Sequence, residues 1–284
     1  MLSERHPAKL GYSRLDEARQ PSQPTSATTD PSGLIGNWTN ADPETRCLQG
    51  VRVAAQAGIL SVGLDPAFGR PDETPTCPAI GYVERADASA FAAITAGGTR
   101  GGLDLRLEGN LNAGLLVLCC YKTWRDAGRS GCFSREYFSK RAASGTATGG
   151  DSLDPVEDPL FHGVDLPERL SPEALLGHWS NPDRHSRGLC DLWISPCAED
   201  VVVSAVAHGH IVWGEATGRL YTDVVDGNAG GVAASARFDF GFVESTLQIR
   251  EVKGVLVVAS FARFETRAQR DPHFIREFFY RPGS

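Results

Sequence analysis

Gly36-Asn37-Trp38-Thr39-Asn40 occurs twice in this chain, the second time as Gly177-His178-Trp179-Ser180-Asn181. Both copies follow a pair of aliphatic residues, Leu34-Ile35 and Leu175-Leu176. Both continue alike, with Asp42, Thr45-Arg46 and Leu48 matching Asp183, Ser186-Arg187 and Leu189. The far ends match at the same offset, Arg135-Glu136-Tyr137-Phe138 against Arg276-Glu277-Phe278-Phe279, and Gly114-Leu115-Leu116-Val117 pairs with Gly254-Val255-Leu256-Val257. A repeat of this length is a duplicated domain of about 105 residues and not a solenoid unit.

Within each copy the hydrophobic pattern has the period of strands. Val51 and Val53 flank Arg52, and a turn at Gly58 precedes Ile59-Leu60-Ser61-Val62. Leu103, Leu105 and Leu107 alternate with Asp104, Arg106 and Glu108, the mark of a strand with one buried face. Gly97 to Gly102 reads as a hairpin loop. Leu115 to Cys120 is a continuous apolar run, as expected of a strand covered on both faces, and only one of Cys119 and Cys120 can face inward. In the second copy, Val201–Val206 reads as a strand, and Phe238, Phe240 and Phe242 share a face. Asp226-Gly227 is a turn signal. No stretch sustains a 3.6-residue period. The fold class expected is all-β, with two tandem small antiparallel β-barrels.

The chain divides accordingly. Residues 1–33, rich in Pro, Ser, Thr and charge, read as a disordered N-terminal arm. Residues 34–141 form the first barrel repeat, 142–172 a linker, and 173–284 the second barrel repeat. Ser171-Pro172-Glu173-Ala174 reads as a short turn that opens the second copy.

Gly-x-Trp-x-Asn, followed by a hydroxyl residue five positions on (Thr45, Ser186), resembles the first strand of the avidin family. An early Gly-x-Trp with an Arg on the last strand is similar to the pattern shared by the calycins, avidins and lipocalins among them. The resemblance implies a calycin-like barrel in each copy, with the tryptophan across one end and the late arginine against it. It therefore implies contacts of Trp38 with Arg135 and of Trp179 with Arg276. The later tryptophans of the avidin ligand site have no match, so biotin binding is not implied.

A formal net charge of −7 disfavours nucleic acid and anionic membrane surfaces as partners. The N-terminal residues include no apolar run of the secretory kind, and the seven cysteines have no regular spacing. Reduced thiols and a cytoplasmic location are the expectation. His208 and His210, with His185, Cys190 and Cys197, lack the paired spacing of a zinc site, and Gly209 places a turn between the two histidines. No metal or other cofactor is expected. No P-loop, dinucleotide fingerprint or nucleophile elbow occurs.

Candidate inward residues of the first copy are apolar, small or thiol. The second copy instead brings Trp193, Trp213, Tyr221, His208, His210, Glu215 and Asp223 within three consecutive strands and their turns. Aromatic walls with a few polar groups make a binding pocket. Trp193, Trp213, His208, His210 and Asn181 are the candidate ligand contacts. For a reaction, Glu215 or Asp223 would be the acid or base, and Tyr221 a hydrogen-bond donor. Two functional readings stay open. One is binding of an apolar or amphipathic small molecule. The other is a cofactor-independent cyclase or isomerase acting on a polyketide- or terpenoid-like natural product. A homo-oligomer is compatible with either.

Overall fold

The structure is a computed structural model and describes residues 29–45, 47–66, 76–84, 88–100, 102–125, 130–141, 166–167, 170–225, 228–265 and 271–283. Most of the expected N-terminal arm and linker, and the Asp226-Gly227 turn, lie outside these. All regular structure among the described residues is β, and no helix is long and apolar enough to cross a membrane.

The first eight strands are β1 (Gly36–Asn40), β2 (Leu48–Gln56), β3 (Ile59–Pro66), β4 (Thr76–Tyr82), β5 (Ala93–Arg100), β6 (Leu103–Asn112), β7 (Leu115–Trp124) and β8 (Cys132–Lys140). Each pairs antiparallel with the next, and β1 also pairs with the end of β8, so the sheet closes into a barrel. The tight hairpins have left-handed φ at both central positions, as at Ala113 (49°) and Gly114 (83°). That turn follows the natural twist of the strands. Strand β5 runs through Gly97 and Gly98, so the expected loop shrinks to the turn before Leu103. A Cβ at Gly97 would stand 2.9 Å from the Leu105 carbonyl oxygen, which accounts for the glycine.

Alternation decides the faces. Leu105, Leu107, Leu116, Leu118, Cys120 and Phe138 belong to one inward cluster with Trp38, Val51, Val53, Val62 and Leu64. Cys120 is core and Cys119 points outward, half-buried. The outward Glu108 is buried nonetheless, so β6 is covered on both faces and not on one.

The second eight strands are β9 (Gly177–Ser180), β10 (Leu189–Cys197), β11 (Asp200–Ala207), β12 (Ile211–Val225), β13 (Asn228–Asp239), β14 (Val243–Val252), β15 (Val255–Phe264) and β16 (His273–Phe279). They are neighbours in sequence order. Ser180, at the end of β9, and Tyr280, just past β16, exchange two backbone hydrogen bonds of 2.9 Å.

The chain forms two compact units. One contains 171–220 and 232–284. The other contains the first barrel together with 221–231, a stretch of the second copy's sequence. In that unit β1 pairs with β8 at Phe138–Lys140, leaving the start of β8 uncovered. Thr222, Asp223 and Val224 lie parallel to β8 there, opposite Cys132, Phe133 and Ser134. The Thr222 amide donates to the Gly131 carbonyl at 2.8 Å.

Each copy is pinned at the same end. The Trp38 indole N–H donates to the Leu34 carbonyl and that of Trp179 to the Leu175 carbonyl, both at 2.8 Å. The cation on each ring is not the expected one. Lys140 Nζ lies 5.4 Å from the Trp38 ring centre, and Arg281 Cζ 4.4 Å from that of Trp179. Arg135 instead lies over Tyr137. The reason is parity. Glu136 and Phe138 share the inward set, so Arg135 points outward, and Lys140 is directly opposite Trp38. Arg276 is outward for the same reason. Lys140 and Arg281 also donate to carbonyls of the entering chain, Ser32 and Ala174, at 3.1 and 3.2 Å.

Candidate functional site

The expected site residues do not gather in one place. His208 and His210 are exposed in the β11–β12 turn, where Gly209 and His210 have φ of 77° and 59°. Glu215 is exposed, opposite Ser204 on the outward face. Trp193 is also outward and 39% exposed; it stacks on His178 with ring centres 4.5 Å apart, and His178 Nε2 is 2.8 Å from Asp191 Oδ1. Tyr221 and Asp223 are buried, but in the unit of the first barrel.

Asn181 serves the frame. Its side-chain N–H groups donate to the Leu189 carbonyl at 2.9 Å and to Glu277 at 3.1 Å, and its oxygen accepts from the Asp183 amide at 2.9 Å. Glu277 also accepts from the Leu189 amide at 2.8 Å and from the Ser186 hydroxyl. The first copy builds the same clamp. Glu136 takes bonds from Asn40, from Thr45 at 3.0 Å and from Ser134 at 3.3 Å. Burial pushes both carboxyls above the usual range, and the surrounding hydrogen bonds offset only part of that. The hydroxyl five positions after each Trp-x-Asn asparagine is thus a partner of this carboxyl. Matching Arg-Glu pairs at the repeat ends marked these glutamates in the sequence, but not their role.

Trp213 is the expected residue that does face inward. Gly214 opposes Ala205 and Val212 opposes Val206, so Trp213 is the extra residue of a bulge. It is 6% exposed and meets Phe238 and Phe240 edge-on at 5.4 and 5.2 Å. Phe240 continues to Phe242 at 6.5 Å. At Gly214, opposite the buried Ala205, an added Cβ would meet no heavy atom within 4 Å.

The register carries this aromatic wall across the sheet. Phe238 pairs with Ser245, Ser245 with Ala262, and Ala262 with His273. These share the parity of Leu247, Ile249 and Val258, and all four are buried. The Ser245 hydroxyl is fully buried and has no hydrogen-bond partner among the described residues. His273 is 4% exposed, with its ring edge-on to Phe264 at 5.5 Å. Among the described residues no group of three or more His, Cys, Asp or Glu is placed to hold a metal ion.

A further polar cluster of the first unit lies on the outside of its barrel. Arg106 Nε is 3.2 Å from Glu108 Oε1, and Arg106 Cζ lies 4.4 Å from the Tyr121 ring centre. Tyr221 meets Tyr121 edge-on at 4.9 Å. Burial raises the Glu108 carboxyl, and Arg106 offsets part of the shift. Burial also holds the Tyr121 hydroxyl well above its ordinary value. Burial works against the Arg106 charge, but Glu108, then Tyr221 and Tyr121, leave its proton held more tightly. This cluster seats Tyr221 beside the barrel wall. Alternation marked Arg106 and Glu108 as a polar face; a neighbour more than a hundred positions away could not be read from it.

No protein-family model matches this chain, and no curated protein does. A solved structure, the crystal structure of a bifunctional dehydratase-cyclase domain in ambruticin biosynthesis, aligns at 8% identity over 87% of this chain and all of that one. Its TM-score is 0.13, too low to carry an argument.

Proposed function

We propose that this protein binds an apolar or amphipathic small molecule, and that the second copy, closed as a calycin-like barrel like the first, holds it. One observation carries the reading. Trp213, Phe238 and Phe240 stand at one end of the inward face, and the same row brings Ser245 and His273 into that face. Aromatic walls with few polar groups are the composition of ligand pockets. The first barrel's interior is a continuous apolar cluster at its centre. Small closed barrels hold one ligand where side chains leave room.

Binding is favoured over the cyclase or isomerase reading because the acid–base candidates are dispersed. Glu215 is exposed in one unit, and Tyr221 and Asp223 belong to the other. Native mass spectrometry of the freshly purified protein tests the reading directly, with a bound small molecule as the expected result. Trp213→Phe should weaken binding of an environment-sensitive apolar dye. Unchanged affinity in that variant, with binding lost on removing residues 34–141, would move the site to the first barrel.

A further inference from the structure

We infer that the row Ser245–Ala262–His273 receives a neutral hydrogen-bonding group of the ligand, a hydroxyl or carbonyl; this rests on the reading that the second copy holds a small molecule. The two copies can be aligned here through their hairpins, because Asn112 faces Leu115 as Val252 faces Val255. The row of the first barrel that corresponds is Gly98–Leu105–Lys122–Cys132. There an apolar Leu105 stands in place of Ser245, and Lys122 in place of Ala262. Lys122 is 0% exposed, with its ammonium 5.8 Å from the Trp124 ring centre. The first barrel therefore supplies its own polar group at this position, on a long stem that fills the floor.

In the second copy the floor is a methyl group. Ser245 and His273 stand on the strands to either side of Ala262, so they are about 10 Å apart along the hydrogen-bonding direction. Both side chains can lean over Ala262 toward one atom between them. A buried hydroxyl without a partner is costly, so a ligand group that pairs with Ser245 gains from doing so. The chemistry limits that partner. The inward row contains no Lys or Arg, and Glu277, four residues along β16 from His273, is committed to Asn181, Ser186 and Leu189. An anionic head group would find no permanent cation in this row, which makes its burial costly. A neutral hydroxyl or carbonyl can pair with a serine hydroxyl, which both donates and accepts.

The test uses the full chain and a matched pair of probes, 2-naphthol and naphthalene, followed by quenching of tryptophan fluorescence. Wild type should bind 2-naphthol about tenfold more tightly than naphthalene, the worth of one good hydrogen bond at a buried site. Ser245→Ala should bring 2-naphthol down to the affinity of naphthalene, and Ser245→Thr, which keeps the hydroxyl, should restore the preference. Equal binding of both probes by wild type and Ser245→Ala overturns the polar anchor and leaves small-molecule binding standing. If wild type binds neither probe, the pocket reading fails and the anchor with it. A loss of both probes in Ser245→Ala but not in Ser245→Thr, with the far-ultraviolet spectrum unchanged, assigns Ser245 to the wall and also overturns the anchor.

Discussion

At the row across β5–β8 the first copy places Gly98, Leu105, Lys122 and Cys132; at the matching row across β13–β16 the second places Phe238, Ser245, Ala262 and His273. The tryptophan with its indole hydrogen bond, the cation over its ring, and the asparagine–hydroxyl–glutamate clamp occur in both. What closes a sheet end has been kept, and what faces the interior away from that end has not. A side chain that fastens one strand to another is constrained by both partners. A side chain that faces only the interior is constrained by volume alone.

Four measurements can break or sharpen this comparison. Trp38→Ala and Trp179→Ala should each cost about 3–5 kcal/mol, the range for deleting a buried aromatic. Denaturant unfolding followed by hydrogen exchange should find the loss in the matching copy, and clearly unequal losses would mean the two frames are not equivalent. Ala262→Lys copies the first barrel's floor into the second copy. It should abolish dye binding and cost about 1–3 kcal/mol by overpacking, whereas retained binding would place the ligand elsewhere.

The third concerns pH. Burial raises Glu108 and Glu136 in the first copy and Glu277 in the second above the ordinary 4.5. In the unfolded chain each carboxyl returns to about that value. The protonated form is therefore favoured by folding, and its contribution is fully present below about 4.5 and lost as pH rises through the higher folded value. The first copy should lose more stability than the second between pH 4 and 8, and Glu108→Gln with Glu136→Gln should flatten its profile. A steeper loss in the second copy would reverse the comparison. The smallest effect is expected at the cations. Arg281→Met should cost about 0.5–1 kcal/mol and Lys140→Met less, because Arg281 lies nearer its ring, 4.4 against 5.4 Å. Thermal melts of the two variants decide it.

Much of the architecture was legible because it is local. Val51 and Val53, the Gly58 turn, the doubly covered Leu116–Cys120 and the repeated Trp-x-Asn depend on alternation, turn chemistry and self-similarity. The candidate site was legible only in part. Trp213 and the Phe238–Phe240–Phe242 series stand out by composition. Yet Ser245, Ala262 and His273 come together only through register, which short-range pattern does not fix. The cation over each tryptophan stands five positions beyond the arginine that the resemblance implies, since Arg135 faces outward and Lys140 lies opposite Trp38. Proximity in sequence groups Tyr221 and Asp223 with Trp213. The pairing of Thr222 with Cys132 instead puts them beside the first barrel, a non-local fact no neighbouring residue signals.

The segment along the start of β8 bears on the order in which the protein is made. Synthesis runs from the N-terminus, and when residue 170 has left the ribosome every strand of the first barrel exists. The stretch Thr222–Val224 does not, and residues 171–220 must be translated first. Until then the amides and carbonyls of Cys132–Ser134 lack this neighbour, and Tyr121 lacks the ring of Tyr221. The N-terminal copy is therefore finished by a piece of the C-terminal one, and co-translational folding of the first copy has its last step near the middle of the second copy's synthesis.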